Sequence, residues 1–143
     1  MVKASELEYG VMKHVPAQLN DSEILYLLHK KDINWKYLNA LRELTHLNDD
    51  IIAGWLNLSV RTFRDYRKPD AVYKENIKEH VLLLLTVIKH GISVFGSKDE
   101  FDKWLYTKNF FLDNETPGSF LNTITGIKFI DDRLTAIEFG DNV

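Results

Sequence analysis

Residues 47–68 read LNDDIIAGWLNLSVRTFRDYRK, and their pattern decides the fold class. Asn48 is a good N-cap, and Asp49 and Asp50 follow it in the first turn, where carboxylates suit the positive end of a helix. Ile51, Ile52, Trp55 and Leu56 supply an apolar stripe at helical spacing. Asn57 falls where the chain must turn, and asparagine tolerates left-handed backbone better than most residues. Ser59 caps a second helix that carries Phe63 and Tyr66 inward and Arg61, Arg64, Arg67 and Lys68 outward. The pattern predicts two short helices joined by a tight turn. In a helix-turn-helix the second helix enters the DNA major groove, with Asn57 here where glycine is usual. An ordinary helical hairpin in an all-helical core is the alternative reading.

The flanking sequence extends this pattern. Asp21 and Ser22 open a helix whose buried side is Ile24, Leu25, Leu27 and Leu28. Asn34 caps the next, with Trp35, Leu38, Leu41 and Leu44 inward. Pro69 ends the basic helix. A long helix is expected from about Lys74 to about Phe95. Ile77, Val81, Leu84, Leu85, Ile88, Ile92 and Phe95 form its stripe, and Leu82, Leu83 and Val87 make it apolar on a second side. Such a helix is buried between layers of its own chain or shared with a second copy. Gly96 closes it and Ser97 caps a helix with Phe101, Trp104 and Leu105 inward. A loop follows, pinned by Phe110, Phe111 and Leu112. The pattern then predicts a helix from Pro117 to a stop at Gly126 and a last helix from Lys128 to Phe139, closed by Gly140. No segment alternates as a strand does. The fold class is all-α: a loosely ordered arm over 1–20, a helix-turn-helix domain over 21–70, a central helix over 71–96 and a small helical domain over 97–143.

The chain has 143 residues, no cysteine and a net charge of −3. That length buries a substantial core. The absence of cysteine removes disulfides and thiolate chemistry and fits a reducing cytoplasm. The start of the sequence lacks a signal-peptide core, and the apolar run Val81 to Val87 is too short to cross a bilayer. The charge is unevenly spread: residues 1–60 carry −2, 61–97 carry +3 and 98–143 carry −4. The positive block coincides with the candidate recognition helix. For DNA the expected contacts are Ser59, Arg61, Thr62, Arg64, Arg67 and Lys68, with Arg61 and Thr62 at base edges and Arg64, Arg67 and Lys68 at phosphates.

Catalytic patterns are missing. His14, His29, His46, His80 and His90 do not pair at i, i+4, and there is no HExxH. They read as surface or half-buried helix residues. Asp49-Asp50 and Asp131-Asp132 are adjacent on helices and point apart, so neither is a catalytic dyad, and Asp131-Asp132 has no evident partner. The chain is expected to be no enzyme and to need no cofactor or metal.

Residues 92–140 carry a more specific signal. ISVFGSKDEFDKWL is followed by Leu112, Pro117, Phe120-Leu121, Thr123, Gly126, Ile130, Leu134, Ile137-Glu138 and Gly140. This resembles the C-terminal toxin-binding domain of the Xre/MbcA/ParS antitoxin family, and SVRTFRDYRK resembles that family's helix-turn-helix. The chain has KENIKEH where the family usually has serine-and-arginine-rich text. The resemblance implies a type II antitoxin that blocks the active site of an NAD-degrading RES-domain toxin and, as a homodimer, represses its own operon. A stand-alone dimeric regulator is the alternative. The resemblance implies toxin contacts at Trp104, Asn122, Thr123, Gly126, Leu134, Ile137, Glu138, Phe139, Gly140, Asp141, Asn142 and Val143. The residues agree in two ways: the acidic end offers acceptors to a basic dinucleotide cleft, and Ile137, Phe139 and Val143 offer apolar surface. Without the resemblance the last helix reads first as a cap on the fold, with a frayed end. Truncation after Thr125 is expected to remove toxin binding and spare DNA binding.

Overall fold

A computed structural model of the chain describes residues 10–45 and 48–140. Among the described residues there are seven α-helices: α1 (Asp21–Lys30), α2 (Trp35–Thr45), α3 (Asp49–Trp55), α4 (Val60–Tyr66), α5 (Glu75–Phe95), α6 (Lys98–Leu105) and α7 (Ile124–Glu138). Short 3-10 turns cover Gly10–His14, Phe110–Leu112 and Pro117–Phe120. Among the described residues the β-structure is one isolated bridge, Asn109 to Glu115. The fold is all-α, as the periodicity predicts.

Burial of α5 organises the rest. Every residue from His80 to Ile92 is buried, and α7, α2, α6 and α1 all pack on this helix. Leu82, Leu83 and Val87, the second apolar side, are covered by the chain itself. The intrachain reading of α5 therefore holds, and these residues are not free to line a dimer interface. Each buried aliphatic side chain contributes roughly 2 kcal/mol on removal from water. Phe95, Phe101 and Trp104 pack together where α5 meets α6, with ring centroids 5.5 to 6.2 Å apart. Gly91 admits Phe101, because a Cβ there would lie 2.1 Å from the ring. Gly96 closes α5 in left-handed backbone at φ 87°.

Capping follows side-chain chemistry. Asn48, Ser59 and Ser97 accept hydrogen bonds from the backbone N–H of Ile51, Thr62 and Glu100. Asn57 takes the left-handed turn at φ 58°. Asn20 caps α1, one residue before the expected start.

Several expectations are corrected. Residues 10–19 are not a loose arm: Met12 and Val15 are buried, and Lys89 Nζ donates to both their carbonyls at 2.9 Å. Residues 1–9, His46 and Leu47 lie outside the described residues. Leu25 and Ile51 are exposed, because a helical step of about 100° turns each away from the neighbour that packs. Leu112 is buried, but Phe110 and Phe111 are exposed, and Phe111 meets α7 through the Arg133 guanidinium, 5.5 Å from its ring centroid, and not through the core.

The largest correction concerns Gly126. The chain forms a 3-10 turn over Pro117–Phe120, and then α7 runs unbroken through Gly126. Thr123 Oγ1 caps α7 by accepting from Gly126 N–H at 2.9 Å. A Cβ on Gly126 would stand 1.9 Å from the Phe120 carbonyl oxygen. The glycine serves close backbone approach, not helix termination. Because Ile127, Ile130 and Leu134 of α7 are core residues against α5, truncation after Thr125 strips the core instead of trimming a tail.

Gly126→Ala is expected to lower the unfolding free energy by about 3 kcal/mol, since the obstacle is backbone and has no rotamer to move aside. Urea denaturation of the two proteins measures this. An unchanged midpoint would mean that Phe120 and Gly126 are not in close approach.

Candidate functional site

Two surfaces stand out, one on α4 and one at the end of α7. On α4, Ser59 and Thr62 are partly occupied with each other: Ser59 Oγ accepts from Thr62 N–H at 3.1 Å, and the two hydroxyls lie 3.0 Å apart. Arg61 is exposed and forms no ion pair among the described residues. Asp49, near the start of α3, gathers three arginines. Arg42 Nε is 3.1 Å, Arg67 Nη1 3.3 Å and Arg64 Nε 3.5 Å from its carboxylate oxygens. Arg42 joins this cluster although sequence reasoning placed it on a separate helix. Lys68 pairs with Asp65 at 3.2 Å. One carboxylate thus leaves a cluster of three guanidinium groups with excess positive charge, beside Arg61.

The predicted contacts near α7 divide by burial. Gly126 and Leu134 are buried, so they shape the region from within and do not present a surface to a partner, and Trp104 of α6 is buried but for the edge that lines a cleft beside that helix. Asn122 and Thr123 are exposed at the start of α7, and Ile137 is half-buried. Glu138, Phe139 and Gly140 are exposed at its end, where the Phe139 ring is 83% exposed. Gly140 N–H closes the turn onto the Ile137 carbonyl at 3.0 Å, with φ 97°. Asp141, Asn142 and Val143 lie outside the described residues. A cleft of about 510 Å³ opens between α6 and the following loop, lined by Phe95, Lys103, Trp104, Lys108, Phe110 and Phe111.

The two surfaces are tied together. Trp55 Nε1 donates to the Gly118 carbonyl at 3.1 Å, Asn57 Nδ2 to the Asn122 carbonyl at 2.9 Å and His80 Nε2 to the Leu121 carbonyl at 3.1 Å. Burial pushes the His80 pKa down, against the bond to Leu121, which fits a neutral ring donating from Nε2.

Sequence reasoning missed a buried charged group. His90 and Asp131 pair at 2.7 Å, and His90 also meets Glu138 at 3.4 Å. His80 and His90 are buried and partnered, not surface residues, and Asp131 has a partner 41 residues away. The available signal was that Asp131 and Glu138 sit in the same helical stripe as Ile127, Ile130 and Leu134. Among the described residues, no three histidine, aspartate or glutamate side chains gather in a way that would hold a metal. No described helix is long and apolar enough to cross a membrane.

Comparison with known proteins adds two findings. Residues 90–140 match the family described as the antitoxin Xre/MbcA/ParS C-terminal toxin-binding domain. A chain in the crystal structure of the M. tuberculosis MbcT-MbcA toxin-antitoxin complex shares the fold, with a TM-score of 0.61 at 15% identity. The match covers 76% of this chain and 96% of that one. No curated protein matches the chain by sequence.

Asn57→Ala is expected to cost about 1–2 kcal/mol, from the strained φ and the lost bond to Asn122. Asn57→Gly, which keeps the backbone angle, is expected to cost less. Chemical denaturation ranks the two, and equal losses would remove the role assigned to the left-handed turn.

Proposed function

We propose, from the match of residues 90–140 to the antitoxin Xre/MbcA/ParS C-terminal toxin-binding domain, that this protein is the antitoxin of a type II toxin-antitoxin pair and acts in the cytoplasm. It captures its toxin through the exposed end of α7, and through α4 it represses its own operon. The toxin is of the RES type, which consumes NAD+. The protein itself performs no catalysis and needs no cofactor or metal.

The observation that carries the reading is where the matched region ends. Glu138, Phe139 and Gly140 stand clear of the core at the C-terminal limit of the match. An exposed aromatic ring on a short stem is a common anchor for a partner pocket. Asn122 and Thr123 add polar surface, and the −4 charge of residues 98–143 complements a cleft shaped for dinucleotide phosphates. Gly126 and Leu134 support that surface from beneath.

Operator binding rests on Arg61, Arg64, Arg67 and Lys68, with Ser59 and Thr62 at the start of α4. Asp49 holds Arg64 and Arg67 in place by ion pairs, so ordering them on DNA loses little side-chain freedom. Two copies read a two-fold operator, joined through a surface other than the apolar residues of α5.

Co-expression with the product of the adjacent reading frame tests the toxin reading. Growth rescue and a stable complex are expected from the full chain, and both are lost when residues 139–143 are deleted. A deletion that still rescues growth removes the tail from the interface. The double change Arg61→Ala, Arg64→Ala is expected to abolish repression and keep rescue. Its residual DNA affinity should depend less on salt, with a log–log slope shallower by about one for the lost Arg64 phosphate contact. A stand-alone regulator would instead bind DNA tightly, rescue nothing and lose all function with the two arginines.

A further inference from the structure

His90 has both ring nitrogens committed to α7. Nδ1 lies 2.7 Å from Asp131 Oδ1 and Nε2 lies 3.4 Å from Glu138 Oε1. A neutral imidazole carries one N–H, so donation from both nitrogens requires the protonated ring. Asp131 is buried, and its second oxygen accepts from Leu19 N–H at 3.2 Å. Glu138 is the last residue of α7 and is partly exposed. Asp131 and Glu138 are two turns apart on one helical face. One ring therefore spans the last two turns of α7, with a fixed anchor at Asp131 and a movable one at Glu138.

We infer that His90 is the positioning residue for the partner-binding end of α7: the charged ring holds Glu138, and with it the turn that presents Phe139, and the neutral ring releases them. The inference deepens the antitoxin reading and rests on it. It gives the toxin interface a pH-dependent setting that α7 does not have on its own.

The electrostatics act in the required direction. Burial lowers the His90 pKa, but the hydrogen bonds and charges of Asp131 and Glu138 outweigh it, and the net shift is upward from 6.5. Among the described residues, the charged groups that bear on the ring are Asp131 and Glu138 of α7. The adjacent Lys89 turns its ammonium to the Met12 and Val15 carbonyls, and the buried Lys98 pairs with Asp102. A group with a raised folded pKa stabilises fully below its unfolded value and loses that effect as pH rises through its folded value. The end of α7 is therefore held below 6.5 and released as pH climbs through the raised value.

Three readouts on the full chain test this. NMR titration of the His90 ring is expected to give a midpoint above 6.5. Amide exchange at Phe139 and Gly140, corrected for intrinsic base catalysis, is expected to lose about fivefold protection across that midpoint. Affinity for a catalytically silenced product of the adjacent reading frame is expected to fall by a similar factor, about fivefold. His90→Gln should flatten the last two profiles. Glu138→Gln, at a partly exposed site that spares the core, should flatten them without loss of folding. A His90 midpoint at or below 6.5 overturns the inference, as do Glu138→Gln profiles that follow the wild type. Toxin binding that ignores pH overturns it too and leaves the antitoxin reading standing. Absence of toxin binding at every pH overturns that reading instead, whatever the tail amides do.

Discussion

A helical stretch with no solvent face must be given a partner on every side, and most of α5 is such a stretch. Its run from His80 to Ile92 is buried throughout, so α1, α2, α6 and α7 each lay an apolar stripe on it. The consequence is a single connected core that includes Phe63 of α4, Phe101 of α6 and Ile130 of α7. Neither candidate surface sits on a separable module. The helix that carries the second candidate surface at its end, α7, is also a wall of the core, which is why a cut at Thr125 damages more than that surface.

That core also fixes how the two surfaces stand to one another. Trp55 of α3, Asn57 of the turn that follows it and His80 of α5 reach to three carbonyls between Gly118 and Asn122. Two of the donors are buried, where losing a partner exposes the full desolvation cost of the orphaned group. The segment that leads into α7 is thus gripped by the turn between α3 and α4. A partner that shifts Asn122 must act against these bonds.

The polar residues of α5 show why an apolar helix keeps them. Lys89, His90 and His80 are buried, and each finds its partner on a segment far away in sequence: the 10–19 stretch, α7 and the approach to α7. Buried polar groups without partners are costly, so each is satisfied in one register alone. Packing of leucine against leucine tolerates small slips, whereas these bonds do not. They orient the elements that the apolar contacts merely bring together.

The all-α class, the long central helix, the caps at Asn48, Ser59 and Ser97 and the left-handed turn at Asn57 were all legible in the sequence. Each depends on residues within a turn or two of one another, and local spacing carries that information. The family motif was legible too, because its positions recur in order along the chain. Burial was legible only in part. Leu25, Phe110 and Phe111 look like core residues in one dimension, and only the placement of neighbouring elements left them outside. Gly126 reads as a helix stop until the Phe120 carbonyl is seen against it, and Asp131 reads as solitary until α5 brings His90 to it across 41 residues. The sequence by itself determined which segments are helical and which residues can pair. The tertiary structure alone decided which of them do, because hydrogen bonds and close approaches between distant segments depend on the packing of α5.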